Sequence, residues 1–227
     1  MYSANSQDPV FSSFYNNPIY YNPASPGIIR GTDFYLNYRE QWPGIPQSNR
    51  SFNFSASTSF CGLFSLGFIA SSNIEGESML KTTYTGISIA VPVKISKHIL
   101  LSGGISTSYG QKRIDWDKIE FDDEFDKLFG KVYPTGFDFP DENRKSYGDV
   151  GFGLEVQAFS NKHSHRPQVS GILGASFQHA AVFPNPNFIG TNINAIPFKQ
   201  VYHLDLWFLY GNRHDKGFSP AIMYENQ

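Results

Sequence analysis

The sequence predicts an all-β protein, specifically a transmembrane antiparallel up-and-down β-barrel. Three observations predict it. Apolar residues recur with period two over long stretches, which is the side-chain period of a strand. The opposite face of those stretches is polar but poor in long charged side chains, unlike a water-facing surface. The connections between stretches alternate between long and short, as they do in outer-membrane barrels.

The stretches follow one another in order. Residues 32–39 place Phe34, Leu36 and Tyr38 on one face and Asp33, Tyr35, Asn37 and Arg39 on the other. In "SFNFSASTSF" (51–60) Phe52, Phe54, Ala56, Thr58 and Phe60 oppose five alternating Ser and Asn residues. A Cys-Gly turn at Cys61 leads into "LFSLGFIA", where Phe64, Leu66, Phe68 and Ala70 share a face. "TGISIAVPVKI" aligns Ile87, Ile89, Val91, Val93 and Ile95 against Gly86, Ser88, Ala90 and Lys94. "ILLSGGISTSYG" sets Ile99, Leu101, Ile105 and Tyr109 against Ser102, Gly104, Ser106 and Ser108. "GDVGFGLEVQAF" is the clearest, with Val150, Phe152, Leu154, Val156 and Ala158 facing away from Asp149, Gly151, Gly153, Glu155 and Gln157. Three more runs at 169–182, 200–211 and 217–225 bring the total to about nine strands. An odd count, with the chain ending in the strand-like "AIMYENQ", predicts a fragment lacking its C-terminal strands. An unclosed barrel would leave unpaired backbone groups in lipid.

Composition narrows the function. A net charge of −2 lacks the basic excess of a nucleic-acid binder. The single cysteine excludes an intramolecular disulfide and a cysteine-based zinc site. No apolar run is long enough for a membrane helix, a criterion that does not touch spanning strands. The apolar face is therefore assigned to lipid and the polar face to the lumen. Long connections such as "EQWPGIPQSNR", "SSNIEGESM", 111–146 and "FPNPNFIGTNINAIPFK" fall at one end; "CG", "SKH", "SNKHSHRPQ" and "NRHDK" fall at the other. The short-turn end is periplasmic in such barrels, which puts the N-terminus there.

Upstream of the first strand, Ala4 and Ser6 sit like the small residues of a signal-peptidase site, and residues 1–6 read as a signal-peptide remnant. Residues 7–31, including "QDPVFSSFYNNPIYYNPASPG", form a stiff Pro- and aromatic-rich segment. It is expected to plug the lumen, or else to hang into the periplasm for a partner. Residues 32–227 are the barrel. No nucleophile, P-loop or dinucleotide fingerprint is present, so no catalytic residue, cofactor or metal is assigned. His163 and His165 read as a solvated turn, since two histidines alone make a poor metal site. The acid-rich "DWDKIEFDDEFDKLFG" lacks EF-hand spacing. Phe121, Phe125 and Leu128 there have helical spacing and predict a short amphipathic loop helix, with a partner-binding surface as the alternative.

Three stretches in the same order carry a resemblance: "QDPVFSSFYNNPIYYNPASPG", "GTDFYLNYREQWPGIP" and "GQKRIDWDKIEF", with a looser continuation to "PFKQVYHLDL". Together they resemble the PorP/SprF family of the Bacteroidetes type IX secretion system. The resemblance implies a non-enzymatic outer-membrane barrel of about fourteen strands, within the even counts such barrels use. It implies roles in protein secretion and gliding motility. The implied partners are type IX secretion components, a surface adhesin-like secreted protein and periplasmic peptidoglycan-linked proteins. By resemblance Asp8, Pro9, Phe11, Tyr15, Asn16, Pro18, Asn22 and Pro23 belong to the first motif. Arg39, Gln41, Trp42 and Pro43 belong to the second, and Asp115, Trp116 and Asp117 to the third. The competing readings are a porin for small solutes and, more remotely, a soluble ligand-binding barrel.

Overall fold

The computed structural model describes residues 14–44, 48–76, 80–116, 119, 121–126, 128, 130–138, 142–160, 168–184, 198–210 and 216–226. Eight long strands run up and down in sequence order: β1 (Thr32–Gln41), β2 (Asn49–Phe60), β3 (Phe64–Glu75), β4 (Leu80–Lys94), β5 (Ile99–Ile114), β8 (Arg144–Phe159), β9 (Gln168–Phe183) and β10 (Lys199–Tyr210). A two-stranded hairpin, β6 (Phe125–Asp126) and β7 (Gly130–Lys131), decorates the longest connection. Two short strands, β11 (Lys216–Phe218) and β12 (Ala221–Asn226), both pair with β10. Every pairing is antiparallel between neighbours. Among the described residues the sheet stays open, with β1 at one edge and β11 and β12 at the other. No described helix is long and apolar enough to cross a membrane.

The faces are inside out relative to a soluble protein. Phe34, Leu36 and Ile105 are 71%, 69% and 64% exposed, whereas Asn53, Ser55, Ser65 and Ser102 are completely buried. In water that arrangement would forfeit about 25 cal/mol for each Å² of apolar surface left uncovered. In lipid it is the stable one. The outward side chains also pack across strands: Phe54 lies between Phe34 and Phe68 at ring distances of 6.5 and 6.3 Å, and Phe152 meets Phe177 at 5.2 Å.

The strands run further than the period alone suggests. β3 continues to Glu75 and β4 starts at Leu80, so the connection expected at 71–79 shrinks to 76–79. That connection is no longer than the 95–98 turn opposite, so the long-short alternation weakens there. β5 and β8 extend into the loop expected at 111–146, pairing as far as Arg113 and Arg144. Polar residues end an apolar pattern without ending a ladder of backbone hydrogen bonds. The run expected at 217–225 is broken in two at Ser219 and Pro220, because proline has no N–H for the ladder. The Pro220 carbonyl still accepts from the Leu206 amide at 3.0 Å.

The amphipathic helix expected over Phe121–Leu128 is not formed. A single 3₁₀ turn (Asp122–Glu124) leads directly into the β6–β7 hairpin. Phe121 stacks on Phe137 at 5.1 Å, while Leu128 points to solvent. Aspartates favour turns over helix interiors, and Gly130 takes a positive φ of 74° that a helix cannot accommodate. At the Cys-Gly turn, Cys61 and Gly62 have φ of 50° and 71°, the left-handed pair that matches strand twist in a tight hairpin.

Candidate functional site

The polar face is not empty. Residues 14–28 form a compact chain of short turns: a 3₁₀ turn (Phe14–Asn16), one turn of α-helix, α1 (Pro18–Tyr21), and a second 3₁₀ turn (Ser25–Gly27). Pro18 and Pro26 sit at or next to the first position of their turns, where the missing N–H costs nothing. Asn22 closes its own turn by accepting from the Ala24 amide at 2.9 Å. Asn17 and residues 21–28 are buried, and the wall around them is the inward face of the sheet.

The wall reaches the segment from strands across the whole sheet, which must curl to do so. Asn17 Nδ2 donates to Asn37 Oδ1 on β1 at 3.0 Å and to Asn53 Oδ1 on β2 at 2.5 Å. Ser55 Oγ donates to Asn17 Oδ1 at 2.8 Å. From β5, Ser102 Oγ donates to the Ala24 carbonyl at 2.7 Å. Asn22 Nδ2 donates to the Leu154 carbonyl of β8 at 3.1 Å. From β9, Ser176 Oγ donates to the Tyr21 carbonyl at 2.5 Å, and Gln178 Nε2 donates to the carbonyls of Tyr20 and Tyr21, each at 2.9 Å. Half of these bonds satisfy carbonyls of Tyr20, Tyr21 and Ala24 that a non-repetitive chain would otherwise bury unpaired.

Glycines make the space. A Cβ at Gly104 would come within 2.5 Å of the Pro23 carbonyl carbon and 2.6 Å of Ala24 Cα, and one at Gly153 within 3.0 Å of Pro23 Cδ. On β3, a Cβ at Gly67 would meet Pro26 Cγ at 2.9 Å and Ile19 at 3.3 Å. The segment thus lies directly on bare backbone. Gln178 owes its aim to an irregularity: the β8–β9 register slips between Val150 and Phe152, and His179 beside it takes a φ of 57°. The His179 ring faces Asp149 Oδ2 at 2.9 Å.

Charge is concentrated on the β8–β12 side of this wall. His203 Nε2 lies 3.2 Å from Glu155 Oε1, and the His203 ring occupies the space over Gly174. Lys199 is fully buried, 2.9 Å from Glu225 Oε1 and 5.8 and 6.0 Å from the ring centres of Tyr20 and Tyr21. Among the described residues no group of three His, Cys, Asp or Glu side chains is placed to hold a metal. His163 and His165 lie outside the described residues.

Beyond the paired ends of β5 and β8, the loop between them has its own small core. Trp116 and Phe121 flank Phe137 at ring distances of 6.4 and 5.1 Å. Asp123 is clasped by the Gly136 amide at 2.7 Å and the Thr135 hydroxyl at 3.1 Å. Glu124 Oε2 accepts from Lys131 Nζ at 3.0 Å and from the Phe121 amide at 3.2 Å. The Lys131 hydrogen bond first, and the Phe121 amide second, hold the Glu124 carboxyl below the ordinary carboxylate range.

The motif residues are scattered across these places. Asp8, Pro9, Phe11 and Asp117 lie outside the described residues. Tyr15 and Asn16 are exposed at the start of the inner segment, whereas Asn22 and Pro23 are buried within it. Arg39 and Gln41 are half-buried at the end of β1; Trp42, at φ 56°, and Pro43 are exposed beyond it. Asp115 and Trp116 open the long loop. Ser102, Ser176 and Gln178, which hold the segment from the sheet, match no motif; Ser102 shows in the sequence through its place in the small-polar row of β5.

Residues 3–227 match the family described as type IX secretion system membrane protein PorP/SprF. The chain belongs to the PorP/SprF family. Neither a curated protein nor a solved structure matches it. PorP/SprF is a family of secretion-system membrane proteins and not of enzymes, and the outward apolar band of this member is the surface such a protein presents to lipid.

Proposed function

We propose that this PorP/SprF protein sits in the outer membrane as a closed platform of the type IX machinery. It serves as partner or anchor for the export and surface retention of an adhesin-like protein. The observation that carries this reading is the segment 17–28 seated on the polar face, hydrogen-bonded to β1, β2, β5, β8 and β9. A diffusion channel needs that space open. A platform needs it rigid, and a stiff inner segment braces the wall against which a cargo can pull.

In this reading the N-terminus lies on the periplasmic side, where the short turns are, within reach of secretion components and peptidoglycan-linked proteins. The loop bearing Asp115, Trp116 and Asp117 faces outward, towards the cargo. Deletion of the gene followed by proteomics of the cell surface tests the platform. Loss of one or a few large surface proteins is expected; unchanged surface display and secretion would remove the proposal. The porin reading is tested separately by reconstituting the protein in planar bilayers, where a steady large conductance would favour it.

A further inference from the structure

Lys199 is the first residue of β10, and its buried ammonium stands between two elements far apart in the chain. On one side Glu225 Oε1 of β12 approaches to 2.9 Å. On the other are the ring centres of Tyr20 and Tyr21 at 5.8 and 6.0 Å, two rings that themselves meet edge to face at 4.9 Å. Gln178, directly opposite Lys199 in the β9–β10 ladder, donates to the carbonyls of the same two tyrosines. Two facing wall residues thus grip one dipeptide, Gln178 by its backbone and Lys199 by its rings.

The two grips differ in what stands behind them. β9 has sixteen residues and pairs on both sides, with β8 and with β10. β12 has six residues, pairs with β10 alone among the described residues and follows directly on the break at Pro220. A short strand at an edge opens at less cost than one inside the sheet. If β12 leaves, the ammonium loses the carboxylate that offsets its burial. If the segment leaves, the ammonium loses two ring faces that attract a cation most strongly when water is excluded. An ammonium that loses either side turns to water and abandons the other.

We propose that Lys199 is a latch coupling the seat of the inner segment to the pairing of β12 with β10. Such coupling is reciprocal: each element strengthens the other by the same factor. A partner that draws β12 off β10 loosens the segment at Tyr20 and Tyr21, and one that pairs with the free edge of β12 tightens it. The latch works in the same way whether the barrel is a platform or a channel.

Hydrogen exchange of the full chain reconstituted in vesicles reads both ends. Lys199→Met with Glu225→Gln removes both charges together and strands neither. Protection of the Tyr20–Ile28 amides should fall about ten- to thirty-fold in this variant, the order of a desolvated cation–π contact. Tyr20→Leu with Tyr21→Leu keeps apolar bulk but removes the ring faces, and the Ala221–Asn226 amides should then lose protection by the same factor. Combining all four substitutions should cost β12 no more than the first pair does alone. Unchanged Tyr20–Ile28 protection in the first variant would overturn the latch, as would unchanged β12 protection in the second. Additive losses of β12 protection in the combined variant would overturn it too, because they would mark two independent effects.

Discussion

Gly104 and Gly103 are adjacent on β5 and point to opposite sides of the wall, so replacing each by alanine separates the inner segment from everything else. Both substitutions lose the same glycine freedom in the unfolded chain. Only Gly104→Ala drives a Cβ to 2.5 Å from the Pro23 carbonyl carbon and 2.6 Å from Ala24 Cα, and both of those are backbone atoms that cannot rotate away. Overpacking of this kind costs about 1–3 kcal/mol. A segment that backs off also stretches the Ser102 bond to the Ala24 carbonyl and the Asn22 bond to the Leu154 carbonyl. At about 1 kcal/mol each, these bring the expected loss of docking to about 3–5 kcal/mol, a shift of some hundred- to several-thousand-fold in the undocked population. Hydrogen exchange of the Tyr20–Ile28 amides in reconstituted protein reads that population directly. Protection should fall by this factor in Gly104→Ala and stay near wild type in Gly103→Ala. Equal protection in the two variants would refute the claim that the segment rests on the β5 backbone.

Three further outcomes follow from the same geometry. Replacing Lys199 by Met strands Glu225 without its buried cation and should destabilise the protein by about 3–5 kcal/mol in chemical unfolding; adding Glu225→Gln should recover much of that. Arginine in place of the outward Leu154 should reduce folding into vesicles by about 2–4 kcal/mol, whereas a water-facing position there would tolerate it. Because Glu124 titrates below the ordinary carboxylate range, its hold on Lys131 and Phe121 is complete above that range and is lost as pH falls through the depressed value. Trp116 fluorescence, which reports the neighbouring Phe137 cluster, should show an acid transition that disappears in Glu124→Gln.

The sheet was legible because strand geometry writes itself into sequence: a face of Phe, Ile and Val against a face of Ser and Gly repeats at every second residue. The inversion of those faces was legible too, since Ser55 or Ser102 on a water-facing surface would ordinarily have Lys and Glu for company. Strand ends were less so, because Asn73 to Glu75 and Gln111 to Arg113 continue the backbone ladder without continuing the apolar row. The loop over Phe121–Leu128 misled because apolar spacing ignores Asp and Gly preferences. The grip on the inner segment was invisible for a different reason. Which serine meets which carbonyl depends on curvature, on the slip beside His179 and on contacts between residues far apart in the chain, and none of these is a local property.

That separation sets the order of assembly. Asn22 finds the Leu154 carbonyl 132 residues away, and Tyr21 and Tyr20 wait for Ser176 and Gln178 at separations of 155 and 158. The part of the inner segment that leaves the ribosome first therefore docks among the last, after β8 and β9 have joined the sheet. Contacts of such long range are slow to form, and until they do Ile19, Tyr20 and Tyr21 travel uncovered. Their covering marks a finished wall.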